Sequence, residues 1–405
     1  MGTVRIYINP FDTTGEYTSY QDVTKYVKDK SAVVKRQVDN NEYDVGVLTY
    51  NNLSLTFNNI NGKFNEADNI QSIFDYKRSN SKVKITWEIN THPLYCGFVE
   101  CGTYYLGTEV TIFEGLLNDE GSKTDIDSQF INFTVLGFES ILDKVETPFS
   151  SIANDDKVSE ILYDCLNQSD ITEILTVSLA NITPSYDAVI DDVSDLEETT
   201  VKETLDILLE ISNSILNIID NVIYIVPRTA TPTVQQTFYG QAARASGEDI
   251  LSIKDIRQGL HKTFNLWKWE DTVLTARSSS SIEKYGVRKK EISYVGITTE
   301  ATKQAILNSS RTEFGEPKKE IKLTTLLNYD TYNLAILDRV AIDYPTVFFP
   351  SDENVLPMFG VSTFGNDKFP FGVWALTFDT NTNFKILGKD INLQKEIITL
   401  TLREI

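Results

Sequence analysis

Short stretches in which apolar and polar residues alternate recur through the first 145 residues, and this period of two restricts the fold more than any other feature. Alternation over four to eight residues is typical of a β-strand with one face in the core. The pattern occurs at Val4/Ile6/Ile8, Leu53/Leu55/Phe57, Val83/Ile85/Trp87/Ile89 and Phe133/Val135. Polar clusters typical of turns separate these runs at residues 39–41, 58–62 and 118–122. Many short strands joined by polar turns predict a sandwich or barrel.

The same alternation returns after residue 250 and continues to the end of the chain. It occurs at Leu251/Ile253, Phe264/Leu266, Ile321/Leu323, Val340/Ile342, Phe384/Ile386, Ile391/Leu393 and Ile398/Leu400/Leu402. A helix is predicted within this region, from about Thr299 to Phe314. A second β-rich region with one inserted helix is therefore expected.

Between the two β-rich regions the apolar period changes to that of a helix. Apolar residues share one helical face in each of two segments, Val158/Ile161/Leu162/Cys165/Leu166 and Val201/Leu205/Leu208/Leu209/Leu216. Thr200 and Glu203 form a capping-box pattern before the second segment. An apolar strand at residues 222–226 follows and is stopped by Pro227. The middle of the chain is therefore predicted to be a small α/β or helix-plus-hairpin unit.

We predict a mainly β fold with an α+β insertion, in which two β-barrel-like domains are separated by a small α/β domain. Residues 1–145 form the first, tube-like barrel domain, residues 146–232 the α/β domain, and residues 233–405 the second barrel domain. A linker-like run of Thr, Ala and Pro at residues 229–233 marks the second boundary. At 405 residues the chain is long enough for several domains, each with its own core.

The formal net charge of −21 argues against a general nucleic-acid binder, because phosphate backbones attract surfaces rich in Lys and Arg. An acidic wall repels phosphate instead, which suits a conduit that DNA passes without binding. No apolar run reaches the roughly 20 residues of a membrane helix, and the first residues do not have the pattern of a signal peptide. Cys96, Cys101 and Cys165 are too few for a disulfide framework and are predicted to be free thiols of a protein made in a reducing cytoplasm.

Residues that could support catalysis or bind metal are sparse. His92 and His261 are the only histidines, which excludes a histidine-rich zinc site, and Cys165 is expected in the core. Acidic residues cluster at Asp155/Asp156, Asp191/Asp192/Asp195 and Glu197/Glu198. They lack the spacing of a calcium loop and are interpreted as solvated surface. A glycosidase pair stays open, because carboxylate separation is a spatial property. We predict no catalytic residue, no metal site, no cofactor and no enzyme activity.

Two further features are candidates for contacts with partners. Lys284, Arg288, Lys289 and Lys290 form a basic cluster, which is either a solvated strand end or a contact with an acidic subunit or DNA. Residues 345–375 are rich in Pro, Gly and aromatic residues and predict a long loop rather than a helix or central strand. The candidate interface residues of this loop are Phe348, Phe349, Phe359, Phe364, Phe369, Phe371 and Trp374. They either contact neighbouring proteins, insert into a membrane, or fold back over the barrel.

Several short sequence patterns, spread over nearly the whole chain, resemble patterns of the baseplate-hub and tail-tip hub family of tailed phages and occur in the same order. They are Val23–Val27, Leu53–Phe64, Lys82–Ile85 with Leu94–Val99, Thr204–Leu208 with Asn221–Arg228, Ser281–Arg288, Asn333–Val340, Phe384–Gly388 and Ile397–Glu404. At Asn61, before Gly62, the family commonly has Asp. No single pattern is specific, and their order and spacing support the resemblance.

The resemblance implies two related β-barrel domains in each subunit and three subunits in a ring around a channel. Such a ring joins a tail tube or distal tail ring protein to tip, spike or fibre proteins, and DNA contacts it only in transit. The expected product is a structural virion-tail protein that is made in the host cytoplasm and has no stable membrane association. Two alternatives stay open, namely a hexameric distal tail ring protein and a carbohydrate-binding β-sandwich adhesin.

Overall fold

A computed structural model describes most of the chain. The described residues are 3–28, 33–38, 49–65, 71–89, 108–125, 129–229, 231–240, 248–257, 259–294, 296–343, 382–393 and 395–405. Within them the fold is mainly β with several helices, which confirms the predicted class. The turn at residues 39–41, Cys96, Cys101, His92 and the aromatic loop at residues 345–375 lie outside the described residues.

The N-terminal strands form an antiparallel sheet in the order β3-β4-β7-β6-β5-β1-β2. The strands are β1 (Thr3–Asn9), β2 (Gln21–Asp22), β3 (Val33–Val38), β4 (Thr49–Asn58), β5 (Lys82–Ile89), β6 (Thr108–Asp125) and β7 (Phe130–Gly137). The predicted alternation is confirmed, since Ile6, Leu55, Ile85 and Phe133 are all buried. Their aromatic neighbours pack closely, and the Phe57 ring centroid lies 4.7 Å from that of Phe64. Burying one such side chain contributes roughly 1.5–3 kcal/mol.

The predicted turn at residues 118–122 is wrong. These residues belong to the 18-residue strand β6. The pairing of β6 with β7 shifts between Asn118 and Lys123, so the polar residues are accommodated as an irregularity within the strand. A polar cluster that is typical of a turn therefore lies here at a local break in strand register.

The middle of the chain folds into helices and one hairpin, as predicted. The elements are α1 (Val158–Leu166), α2 (Ser169–Thr172), α3 (Val201–Ile211), β8 (Ser214–Ile219) and β9 (Val222–Pro227). The capping box of Thr200 and Glu203 is present at the start of α3. Leu216 was expected on this helix but lies in β8, because the helix ends at Ile211 with Ser212 as its C-cap and Asn213 has a positive φ of 49°.

The C-terminal region contains a second set of strands with helices between them. The elements are β10 (Val234–Tyr239), β11 (Glu248–Arg257), β12 (Leu266–Trp269), β13 (Thr275–Arg277), α4 (Ser279–Tyr285), β14 (Lys289–Ile292), α5 (Glu300–Phe314), β15 (Glu320–Leu326), α6 (Tyr329–Asn333), β16 (Arg339–Asp343), β17 (Asn383–Asn392) and β18 (Ile397–Glu404). The helix predicted at residues 299–314 is confirmed as α5. Strands β12, β13 and β14 form a separate small sheet against this helix.

Six C-terminal strands pair in the order β16-β10-β11-β15-β18-β17, and β17 also pairs with β16. Most residues predicted to face the core are buried, including Leu323, Ile342, Ile386 and Leu400. Ile253, Phe264 and Leu266 are only partly buried, and Leu251 is 51% exposed. The register of β11 against β15 shifts between Ile250 and Ser252, and this bulge exposes Leu251.

In the described residues the two β regions are not separate sheets. Strands of both β regions belong to one sheet of 13 strands, which ends at β2 on the N-terminal side. The reason is that β17 pairs with β3 of the N-terminal region as well as with strands of its own region. The division at residues 145 and 232 stays a prediction.

Candidate functional site

One strand edge joins the two β regions, and we call this contact the strand joint. The first residues of β17, Asn383–Lys385, pair with β16, whereas Gly388–Asn392 pair with β3. The β17–β18 register shifts between Ile386 and Gly388, where the edge changes partner. A bulge increases local twist and bends the strand, so it allows one strand to serve two neighbours.

The tip of the β8–β9 hairpin and helix α6 both contact the outer side of β6, and we call these contacts the hairpin joint. The Asn221 amide donates a hydrogen bond to Glu114 Oε2 at 2.7 Å. Lys84 Nζ lies 3.5 Å from Glu114 Oε1. The Tyr332 hydroxyl donates to the Thr111 carbonyl at 2.5 Å. All three parts of the chain therefore meet at this strand.

A cavity of about 480 Å³ lies at the hairpin joint and is lined by residues of all three parts, among them Glu114, Ile219 and Leu334. Lys389 of β17 is buried here, and its ammonium group donates to the carbonyls of Tyr332 and Leu334. The buried Glu139 carboxylate accepts a hydrogen bond from the Asn51 backbone N–H. Buried charges at this junction are thus supplied with backbone partners, as a rigid contact requires.

Asp191 connects the α/β unit to the start of α5, and we call this contact the capping joint. Its Oδ2 accepts hydrogen bonds from the Thr298 backbone at 2.7 Å, the Thr298 hydroxyl at 2.6 Å and the Thr299 backbone at 3.2 Å. These bonds, that of the Thr298 side chain first, hold the pKa of Asp191 below its ordinary value. Gly296 fits against the Asp192 carbonyl, where an added Cβ would approach to 2.2 Å. A residue interpreted from sequence as solvated surface therefore caps a distant helix.

Charged side chains are buried where α5 ends against the C-terminal sheet. Lys385 Nζ lies 2.7 Å from Glu313 Oε1 and donates to the Arg228 carbonyl at 3.0 Å. Burial by itself would raise the pKa of Glu313, but Lys385, Lys318 and Arg403 lower it to about 2. Burial lowers the pKa of Lys385 to about 8. The pair attaches the helix to β17.

Two other residues that the sequence analysis considered, Cys165 and His261, lie in different parts of the fold. Cys165 is buried, and burial raises the pKa of its thiol to about 12. His261 is partly buried, which lowers its pKa. In the part of the chain that the structure describes, no group of three His, Cys, Asp or Glu residues is arranged to hold a metal ion. Over those same residues, no helix has the length and apolar character needed to cross a membrane.

The basic cluster is largely engaged within its own region. Arg288 Nε donates to the Thr263 carbonyl at 2.9 Å, and Lys289 Nζ lies 2.6 Å from Glu291 Oε1. Lys290 lies over the Trp267 ring, 5.2 Å from its centroid. These contacts favour the interpretation of the cluster as part of a strand end.

The negative charge is concentrated in the α/β unit. Residues 146–211 contain 16 acidic residues and two lysines, which accounts for −14 of the net −21. All 16 carboxylate residues are at least partly exposed. Composition alone gives the total charge of the chain. The position of the negative charge on residues 146–211 determines where a repulsive field would act.

No protein-family model matches the sequence, and no curated protein matches it. Solved structures do match the fold over nearly the whole chain. The 43 kDa tail protein of prophage MuSo2 from Shewanella oneidensis has a TM-score of 0.54 at 11% identity, covering 99% of this chain and 96% of that one. A tail protein from Neisseria meningitidis MC58 has a TM-score of 0.54 at 9% identity, covering 100% and 96%.

A third match is the prophage tail protein gp18 from Listeria monocytogenes EGD-e, with a TM-score of 0.50 at 10% identity and coverage of 98% and 94%. The chain has the fold of phage tail proteins. This tail-protein fold is the one that the resemblance in sequence patterns predicts. The sequence patterns did not reveal the three joints, because each depends on residues more than 80 positions apart.

Proposed function

We propose that the chain is a non-enzymatic structural subunit of a phage-type tail, a hub at the distal end of the tail. The observation that supports this most is the tail-protein fold, which extends over nearly the full length of this chain and of the matching structures. The joints add a physical reason, because a subunit that transmits load between neighbours needs its parts held in fixed positions. In this role the protein is a virion component made in the host cytoplasm.

The hub assembles as a trimeric ring that connects a tail tube or distal tail ring protein to tip, spike or fibre proteins. A single sheet that includes both β regions gives each subunit two strand-rich sectors, so three subunits present six sectors to a sixfold tube. DNA passes through the central channel. The concentrated acidity of residues 146–211 repels its phosphates if this unit faces the channel. The aromatic residues of the loop at 345–375 serve as contacts with neighbouring proteins.

Native mass spectrometry combined with negative-stain imaging tests this proposal. A hub gives a mass of three times the 45.8 kDa chain and ring-shaped particles with a central hole. Six copies would favour the distal tail ring protein instead. Isolated single chains at all protein concentrations, alone and mixed with tail-tube protein, would contradict both forms. A peptidoglycan zymogram with a clear zone would contradict the non-enzymatic role.

A further inference from the structure

A cleft runs along the outer side of β5 and β6. One end of the cleft adjoins the hairpin joint. Its smaller cavity, about 240 Å³, is lined by Tyr7, Tyr20, Lys84, Thr86, Glu109 and Thr111. Lys84 and Thr111 also line the 480 Å³ cavity at the hairpin joint, so the two cavities adjoin. Together they fall in the range of roughly 300–1,000 Å³ that small-molecule sites occupy.

Aromatic side chains are present along the whole cleft. Tyr7 and Tyr20 line the smaller cavity, and Tyr332 lines the larger one. Tyr20 is 38% exposed, so part of its ring is open to solvent. Burial raises the pKa of Tyr20, which keeps its hydroxyl protonated and able to donate a hydrogen bond. A tyrosine in this position offers an apolar surface and a polar end to one ligand.

Glu109 supplies an acceptor in the smaller cavity. Its Oε1 accepts hydrogen bonds from the Tyr7 hydroxyl at 3.2 Å and from the Thr86 hydroxyl, which fixes the carboxylate. Arg5 Nη1 lies 4.0 Å from its Oε2, beyond hydrogen-bond distance. The carboxylate is 41% exposed and is therefore positioned with one oxygen available to a ligand.

Acidic residues outnumber basic ones in the lining of the two cavities. The charged residues that line them are Lys84, Lys389, Glu109, Glu114, Glu139 and Asp220. Two of the acidic groups have a cation nearby, since Arg5 lies 4.0 Å from Glu109 and Lys84 lies 3.5 Å from Glu114. Such a lining repels a phosphate or another anion. Amide side chains of Asn221 and Asn333 extend the lining into the larger cavity. The ligand that fits is neutral, has many hydroxyl groups, and has apolar C–H faces.

We propose that this cleft binds a short neutral oligosaccharide. In this complex the C–H face of one sugar ring packs on the Tyr20 ring, and a hydroxyl of that sugar donates to Glu109 Oε2. The Lys84 ammonium group and the Tyr20 hydroxyl donate to ring or hydroxyl oxygens of the sugar. The next sugar extends toward Asn221 and Asn333, whose amides pair with hydroxyl or acetamido groups. This activity goes beyond the structural role, because it depends on the cleft of a single chain and not on ring assembly.

Saturation-transfer NMR and titration with two neutral probes, tetra-N-acetylchitotetraose and maltotetraose, test the proposal. We expect saturable binding of at least one probe to the wild-type protein. Tyr20→Ala should weaken it by about tenfold, or about 1.4 kcal/mol, because the aromatic contact with the sugar is lost. Glu109→Gln, which keeps the shape of the side chain, should weaken binding of the same probe by a smaller factor. Tyr285→Ala removes a comparably exposed tyrosine (44%) on α4 and should leave binding unchanged.

Absence of saturable binding to both probes would overturn the proposal, as would binding that Tyr20→Ala leaves intact. Circular dichroism of each variant shows whether it is folded, and Glu109→Gln provides a second measurement should Tyr20→Ala disturb the loop. The assembly state is measured separately by native mass spectrometry. If the protein forms the ring but binds neither probe, only the saccharide site is contradicted. If the protein binds a probe but stays a single chain, only the hub is contradicted.

Discussion

The two β regions bury different chemistry. At the centre of the N-terminal region, Phe57 packs against Phe64 and Phe133, and Arg78 lies over the Phe133 ring. Near the end of α5 the C-terminal region instead buries the Glu313–Lys385 ion pair. Apolar burial stabilises in proportion to the area removed from water, whereas a buried ion pair offers little net stability but is costly to break. Substitutions of buried residues and a change in pH should therefore change the free energy of unfolding by different amounts in the two regions.

Removing one partner of the buried pair should produce the largest effect. Glu313→Gln leaves the Lys385 ammonium buried without its counter-charge, and we expect a loss of about 3–5 kcal/mol in the free energy of unfolding. Glu300→Gln, on the exposed first turn of the same helix, is the matched control and should cost far less. Urea denaturation measures both. Equal losses in the two variants would show that the pair has no special role.

Acid should destabilise the C-terminal region through the same carboxylate. The pKa of Glu313 is about 2 in the folded protein and near its ordinary value of 4.5 in the unfolded chain. The unfolded chain therefore binds more protons between these values, so stability from this group is present above about pH 4.5 and declines as the pH falls toward 2. Unfolding free energies measured from pH 6 to 3 should fall less steeply for Glu313→Gln than for the wild type. Parallel curves would rule out this contribution.

The capping joint should show an intermediate effect. Asp191→Ala removes an acceptor shared by Thr298 and Thr299, and loss of a helix cap costs about 0.5–2 kcal/mol. Hydrogen exchange at the first turn of α5 should accelerate. Asp195→Ala, an exposed aspartate in the same acidic run, is the control and should leave this exchange unchanged. Slow exchange in Asp191→Ala would mean that packing alone holds the helix end.

Small apolar truncations should give the smallest and most uniform effect. Ile85→Val in the N-terminal core and Ile321→Val in the C-terminal core each remove one methylene group from a fully buried site. We expect losses of about 0.5–1.5 kcal/mol that are the same at pH 7 and pH 4, because no titrating group is removed. Urea denaturation at both pH values compares them. A pH-dependent loss for Ile321→Val alone would place this residue within the influence of the ion network.

Periodicity predicted the elements well where one face of a strand or helix meets the core. Ile6 and Ile8, and likewise Ile398 and Leu400, are buried because alternation reflects a local property of the strand. The errors fall where the strand is irregular. Bulges exposed Leu251 and kept residues 118–122 within β6, and neither is specified by the neighbouring residues alone.

The polar side of β17 shows why the joints could not be predicted. In the sequence, Lys385 lies between Phe384 and Ile386, so alternation predicts that its side chain and that of Lys389, four residues later, face solvent. Both lysines are buried, and their partners are the Glu313 carboxylate and the carbonyls of Arg228, Tyr332 and Leu334. Those partners lie 55–157 positions away along the chain. Only the packed fold places them within hydrogen-bond distance.

The sequence by itself determined the mainly β class, the helices near residues 158–166 and 300–314, and the concentration of acidic residues at 146–211. These properties follow from local periodicity, capping and composition, which depend on neighbouring residues. Tertiary structure decided that β17 joins both β regions in one sheet, that Asp191 caps α5, and that tyrosines and carboxylates line a common cleft. Each of these requires long-range pairing, in which strand register and buried charge are satisfied together.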